Sequence, residues 1–236
     1  MSGLPVESSS FAPTRTVENY LMSMHVLERD HGEIVAARLA EELNVAPATV
    51  AMTLKRMERD HWITGKGKGK SIHLTETGME AANSVVRRHM LTEWLLLKIL
   101  KVPFHQIHAE AHNLEHAISA QLEERLVDIL GNPQVCPHGN PFPGHENTTK
   151  AWRPLTEVKK GERVVIRRLH ELAENNQDLL SFLITNQFLP GATAEVVDVL
   201  PFNQTMTVNL AGRDCTLGFS SARYIFAEKM SAEIQD

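Results

Sequence analysis

A change of hydrophobic period near residue 130 restricts the fold of this chain more than any other feature. Up to Leu130, apolar residues recur at the three- and four-residue spacing of amphipathic helices. From about Leu155 they fall into short runs with the two-residue period of strands. Gly131-Asn132-Pro133 and the Pro- and Gly-rich stretch Cys136–Pro154 separate the two regimes. The chain has 236 residues, 42% of them hydrophobic, which is enough for two domains and a small third.

Some classes are excluded at once. No run of about 18 apolar residues occurs, so a membrane span is not expected. The first residues lack the cationic start and apolar run of a signal peptide. Two cysteines, Cys136 and Cys215, cannot build a disulfide scaffold, and a reducing cytoplasm is the expected setting.

In the helical half, Val17–Glu28 and Glu33–Leu43 read as helices. A short turn at Asn44-Val45-Ala46 follows, and Pro47 suits the first position of a third helix running to about Asp60. Val50, Leu54 and Met57 then face inward, and Ala48, Thr49 and Met52 point outward near the helix start. Trp62–Thr64 and Ser71–Leu74 flank a Gly/Lys tip as a hairpin. Two helices joined by a tight turn and followed by a hairpin predict a winged helix-turn-helix. Ala48, Thr49 and Met52 are candidate base contacts, and Lys55, Arg56 and Arg59 are candidate phosphate contacts. Lys66, Lys68 and Lys70 at the tip would neutralise further phosphates. Residues 1–75 are neutral overall, yet residues 55–70 carry six basic and two acidic side chains. A charged helical bundle with no DNA partner is the plainer reading, and the wing counts against it. Gly69-Lys70-Ser71 is not a nucleotide-binding P-loop, because Thr64 stands where that motif needs Gly.

Thr75–Leu100 and Phe104–Leu130 read as two longer helices. Twelve histidines are present, and their placement points to metal. His89 and Glu93 are four apart and share a face. At about 100° per residue, His108, His112, Glu115 and His116 fall within roughly a 100° arc. Imidazoles and carboxylates on one stripe suit a divalent cation better than they suit a core. Cys136 and His138 alone make a weak case for zinc. Beyond the linker, strands are expected at Arg163–Leu169, Ala194–Leu200, Thr205–Leu210, Asp214–Phe219 and Arg223–Ala227, with one helix near Asp178–Thr185. Such short strands suggest a small barrel.

Taken together, Arg88-His89-Met90-Leu91-Thr92-Glu93, the run His108 to His116, Cys136-Pro-His-Gly-Asn-Pro-Phe-Pro-Gly144 and Arg56-Met57-Glu58-Arg59-Asp60 resemble the diphtheria toxin repressor family of iron- and manganese-dependent regulators. The resemblance covers about residues 16–230. It implies a mainly α fold with a small β part. A disordered N-terminus (1–15) precedes a winged helix-turn-helix domain (16–75), a helical metal-binding and dimerisation domain (76–145), a linker (146–154) and an SH3-like, FeoA-type barrel (155–236). It also implies two metal sites. The primary one maps onto Asn19, His112, Glu115 and His116. The ancillary one maps onto His89, Glu93 and His108, with Glu171 and Glu174 from the third domain. Iron-responsive members usually place Met and Cys where this chain has Asn19 and His112, and Met22 stands where short manganese regulators have a ligand.

The expected protein is therefore a cytoplasmic homodimer, not an enzyme. It would bind a double-stranded, palindromic DNA operator when loaded with Mn²⁺ or Fe²⁺, and control metal-uptake genes. Mn²⁺ is favoured because the primary set offers oxygen and nitrogen but no thiolate. An iron-responsive repressor, a metal-dependent hydrolase and a winged-helix sensor of an organic ligand are the alternatives. Leu114, Ile118 and Leu122, spaced four apart, are the expected dimer stripe.

Overall fold

The computed structural model describes residues 12–65 and 71–230. Lys66, Lys68 and Lys70, and most of the expected disordered N-terminus, lie outside the described residues. The chain divides into two compact units, one ending at Val85 and the other beginning at Val86.

In the first unit, α1 (Arg15–His31) starts at Thr14, whose hydroxyl accepts from the Val17 N–H, and stops at Gly32 in the left-handed region. Next come α2 (Ala36–Glu42) and α3 (Pro47–Arg59), which has no side-chain cap and relies on Pro47 in its first turn. Two short antiparallel strands follow, β1 (Ile63–Thr64) and β2 (His73–Leu74), with Ile63 opposite Leu74. Leu21, Met24 and Leu27 of α1 share one core with Leu39, Val50, Leu54, Met57 and Trp62. The inward face expected for α3 is therefore present, with Thr53 also buried.

Helix α4 (Glu76–Trp94) runs across the division between the units and ends in a π-helical turn, Leu95–Ile99. The expected single helix Phe104–Leu130 is in fact two. Helix α5 (Ile107–Leu114) tightens into a 3₁₀ turn at Glu115–Ala117, Ile118 is extended, and α6 (Ala120–Leu130) starts afresh. Ser119 causes the restart: its side chain accepts from the Leu122 N–H as an N-cap, a role that competes with helix continuation. The stripe of Leu114, Ile118 and Leu122 is thereby broken, because Ile118 is buried while the two leucines are exposed.

After α6, residues 134–142 fold into a tight strap. Cys136 N–H donates to the Asn140 carbonyl at 2.8 Å and Phe142 N–H to the Gln134 carbonyl at 2.9 Å. The remaining strands are β3 (Arg153–Pro154), β4 (Arg163–Leu169), β5 (Thr193–Leu200), β6 (Thr205–Leu210), β7 (Arg213–Gly218) and β8 (Ile225–Lys229), with short helices α7 (Glu171–Glu174), α8 (Gln177–Thr185) and α9 (Phe219–Ala222) between them. They form one antiparallel sheet in the order β3-β8-β4-β5-β6-β7. The hydrogen-bonded order does not close on itself, since β3, only two residues long, pairs with β8 alone. Alternation in β6 (Met206, Val208 and Leu210 buried) and in β5 (Ala194, Val196) puts one face on a core with Ile166, Leu169, Leu183 and Phe188.

Candidate metal centre and nucleic-acid interface

The metal candidate is built on three helices and one loop. Helix α4 carries His89 and Glu93 one turn apart, α5 carries His108, and the short α7 carries Glu174. One ligand atom from each of these four lies within 4.8 Å of the others. His108 Nδ1 is 2.7 Å from Glu174 Oε2 and 3.3 Å from Glu93 Oε1, and His89 Nε2 is 3.2 Å from Glu93 Oε1. All four residues are buried.

His138 joins this group from the strap. It is fully buried against the Phe104 ring, and its Nδ1 is 3.2 Å from both Glu93 Oε1 and Glu174 Oε2. Cys136 also lies within ligand-sharing distance of Glu93 and His138. The spacing Cys136-x-His138 was the available signal. Two ligand types in a loop say nothing of a third and fourth brought by distant helices, so sequence reasoning undervalued them.

Of the two glutamates mapped onto α7, Glu174 reaches the cluster. Glu171 instead accepts from Arg168 Nη2 at 3.0 Å and lies 3.8 Å from His170 Nδ1.

Three residues of the set mapped as primary, His112, Glu115 and His116, lie alongside. Glu115 Oε1 is 3.4 Å from His112 Nδ1 and 3.4 Å from His116 Nε2, while Glu115 Oε2 is 2.6 Å from His89 Nδ1. His112 packs on the rings of His89 and His108 with centroids 4.7 Å apart in each case. Asn19 sits on α1 in the first unit, and its Oδ1 is buried without a hydrogen-bond partner among the described residues. Met22 is on the same helix.

The electrostatics show protons standing where cations would. Burial opposes charge on His108, but Glu174 and Glu93 outweigh it and raise its pKa well above the usual range. His138 is raised for the same reason, with burial again opposed by Glu174 and Glu93. Glu93 is held well below the carboxylate range; burial opposes this, and the charges of His138 and His89 prevail. Burial lowers the His112 pKa and pushes the Cys136 thiol up. Buried carboxylates facing imidazoles suit a divalent ion. Glu93 Oε2 and both ring nitrogens of His138 are buried without a well-formed hydrogen bond. An unsatisfied polar atom of this kind is costly in a core and is explained if it is a ligand.

The nucleic-acid candidate is the outer face of α3. Ala48, Thr49, Met52, Lys55, Arg56 and Arg59 are all exposed, and Met52 is 73% exposed. Arg59 pairs with Asp60 through Nε at 2.7 Å, also at the surface.

Residues 13–69 match the family "Iron dependent repressor, N-terminal DNA binding domain", residues 75–144 its "metal binding and dimerisation domain", and residues 153–229 the FeoA domain. The iron-dependent repressor IdeR of Mycobacterium tuberculosis is 34% identical over 226 residues, covering 91% of this chain and 97% of the relative. The diphtheria toxin repressor of Corynebacterium diphtheriae is 32% identical over 78% of this chain and 84% of its own length. Among solved structures, ScaR with bound Zn²⁺ superposes with a TM-score of 0.76 at 28% identity, over 92% of this chain and all of ScaR. The manganese regulator SloR gives 0.74 at 27% over 91% of this chain and 98% of its own. The helices, sheet and His/Glu cluster are those of a metal-dependent regulator class. This chain belongs to the iron-dependent repressor family that includes the diphtheria toxin repressor.

Proposed function

We propose that the chain is a homodimeric, divalent-metal-activated transcriptional regulator that binds a palindromic operator and controls metal-uptake genes from the cytoplasm. The observation that carries this is the buried convergence of His89, Glu93, His108 and Glu174 in a chain whose α3 exposes a reader-type face. No helix among the described residues is long and apolar enough to cross a membrane.

His89, Glu93, His108 and Glu174, with His138, would hold the ancillary ion, and Glu171 would act beside them. Asn19, His112, Glu115 and His116 are the proposed primary set. When bound, the metal supplies the positive charge that protons otherwise supply among these carboxylates. The rest is done by the chain. Glu115 touches His89, His112 and His116, so it ties the two ligand sets together. Asn19 shares a helix with Leu21 and Met24, which pack in one core with Val50 and Leu54 of α3. A constraint on Asn19 is therefore a constraint on the reader helix. With β1 and β2 as the base of a wing, α2 and α3 read as a winged helix-turn-helix. The six-stranded antiparallel sheet from β3 to β8 reads as an SH3-like, FeoA-type module.

Mn²⁺ is the proposed signal, with Fe²⁺ the second choice, because Asn19, His112, Glu115 and His116 offer oxygen and nitrogen donors alone. The test is DNA binding under anaerobic conditions with chelator, Mn²⁺ and Fe²⁺, on genomic fragments recovered with the metal-loaded protein. Binding that requires metal is expected. Equal binding in chelator would overturn the reading. Turnover of ester or phosphate substrates would favour the hydrolase alternative.

A further inference from the structure

Glu174 reaches the metal cluster through only one of its oxygens, and two residues outside the proposed ligand sets account for that. Glu174 Oε1 accepts from Asn140 Nδ2 at 2.5 Å, which leaves Oε2 for His108 and His138. Asn140 is fully buried on the strap, and its Nδ2 also donates to the Leu169 carbonyl at 2.9 Å. Its Oδ1 accepts from Arg168 Nε. Arg168 lies on β4, 4% exposed, with its guanidinium 4.7 Å from the Phe226 ring centre and its Nη2 on Glu171.

The direction of this chain of bonds is set by donor chemistry. A guanidinium only donates, so it must face the amide oxygen. The amide NH₂ is then forced toward Glu174 and the Leu169 carbonyl. A carboxylate with one oxygen so fastened loses rotation about its last torsion and presents the other in one direction. Glu171 supplies the counter-charge that a buried guanidinium requires.

We propose that Arg168 and Asn140 are positioning residues of the ancillary site. Arg168 orients the Asn140 amide, and Asn140 holds Glu174 so that Oε2 faces the ligand cluster. This rests on the metal reading of that cluster. Arg168 and Asn140 touch no metal themselves. They connect the strap, β4 and α7 to the site, so the sheet domain contributes to metal affinity through these two residues as well as through Glu174. Outer hydrogen-bond partners of ligands typically change metal affinity 10–100-fold when removed.

The test uses the full chain with Mn²⁺ or Co²⁺ alone, titrated against a chelating indicator, with the Co²⁺ visible spectrum and metal-free melting recorded in parallel. Asn140→Asp keeps the shape but cannot donate to Glu174. It is expected to weaken one of two metal equivalents about 10–100-fold, shift that equivalent's Co²⁺ bands and spare the other. Arg168→Met should act in the same direction, and Arg168→Lys, which still only donates, should recover part of the loss. Because the residues act in series, the double variant should bind no worse than Asn140→Asp. Should Asn140→Asp fail to fold, the Met and Lys variants at 168 carry the comparison. A lower melting temperature with unchanged affinity and Co²⁺ bands would overturn the proposal. Glu174→Gln and His108→Ala separate the two levels. If neither removes a metal equivalent, the metal reading of the cluster fails. If they do and the positioning variants do not, only the positioning role fails.

Discussion

Nδ1 of His89 lies 2.6 Å from Glu115 Oε2, while Nε2 of the same ring lies 3.2 Å from Glu93 Oε1. One imidazole therefore bridges the two ligand sets. Burial opposes its charge, but the charge of Glu93 and the bonds to Glu115 and Glu93 prevail, raising its pKa to about 9. Burial also opposes charge on Glu115, but hydrogen bonds from His112 and His89 win, and its pKa falls to about 2. At neutral pH, without metal, this is an imidazolium–carboxylate pair.

A pH dependence follows from the bridge. An ion bound at His89 must displace a proton. Below the raised pKa the proton competes, so affinity should keep rising with pH toward about 9. An ordinary imidazole would level off above about 6.5. Anaerobic Mn²⁺ titrations between about pH 6 and 9, with proton release read by calorimetry in two buffers, test this. A plateau already reached at neutral pH would contradict it.

The strap makes a separate demand on Gly139. Its φ is +90°, and a Cβ there would sit 2.0 Å from the Arg167 carbonyl oxygen and 2.8 Å from the Arg168 Cα. The preceding strap carbonyl, of His138, accepts from the Leu169 N–H at 2.8 Å, so the strap cannot lift away without losing that bond. Gly139→Ala should cost about 3 kcal/mol and weaken metal binding, since His138 and Asn140 flank it. Gly144 also has positive φ, but nothing lies within 4 Å of its added Cβ. Gly144→Ala should cost about 1–2 kcal/mol and spare the metal. Denaturant melts of the metal-free proteins, ranked against each other, decide the matter.

The dimer surface is expected on α6, where Leu122 is 41% and Ile129 69% exposed, with Leu114 of α5 40% exposed. Leu122 and Ile129 are two turns apart and share a face. Leu122→Asp and Ile129→Asp should convert dimers to monomers in sedimentation at micromolar concentration. Phe202, 88% exposed in the turn between β5 and β6, serves as control. Dissociation by Phe202→Asp, with α6 variants still dimeric, would move the interface to the sheet domain.

Local signals were legible in the sequence and long-range ones only in part. Pro47 and the period of Val50, Leu54 and Met57 are enough to place α3 and its outward face, because one turn chemistry and one periodicity decide them. The restart at Ser119 was not seen, because Leu114, Ile118 and Leu122 mimic a continuous stripe, whereas a single cap decides the break. His89 and Glu93 could be paired from helical spacing, and His108 with His112, Glu115 and His116; joining His108 to the first pair rested on the family resemblance. The convergence of His138 from the strap could not, since no local period links residue 138 to residue 93. The contrast between Glu171 and Glu174 is likewise tertiary. Spacing offers both, and the position of Arg168 engages Glu171.

The outer face of α3 divides into two kinds of contact, and the division can be tested. Met52 is 73% exposed in the second turn of α3, following Ala48 and Thr49 in the first. An apolar side chain there can discriminate thymine methyls but cannot neutralise a phosphate. Lys55 and Arg56 are exposed farther along, where charge rather than shape is on offer. Met52→Ala should therefore redistribute affinity among operator variants, by about 1–3 kcal/mol at one base pair, with the salt dependence unchanged. Lys55→Ala and Arg56→Ala should weaken all sequences alike, each reducing the slope of log affinity against log salt by about 1. Arg59 is already paired with Asp60 at the surface, so Arg59→Ala should have a smaller effect than Arg56→Ala. Binding to a randomised operator library, measured at two salt concentrations with metal held constant, reads both quantities at once. Sequence choice altered by the Lys55 or Arg56 variants but not by Met52→Ala would mean that the faces of α3 have been assigned the wrong way round.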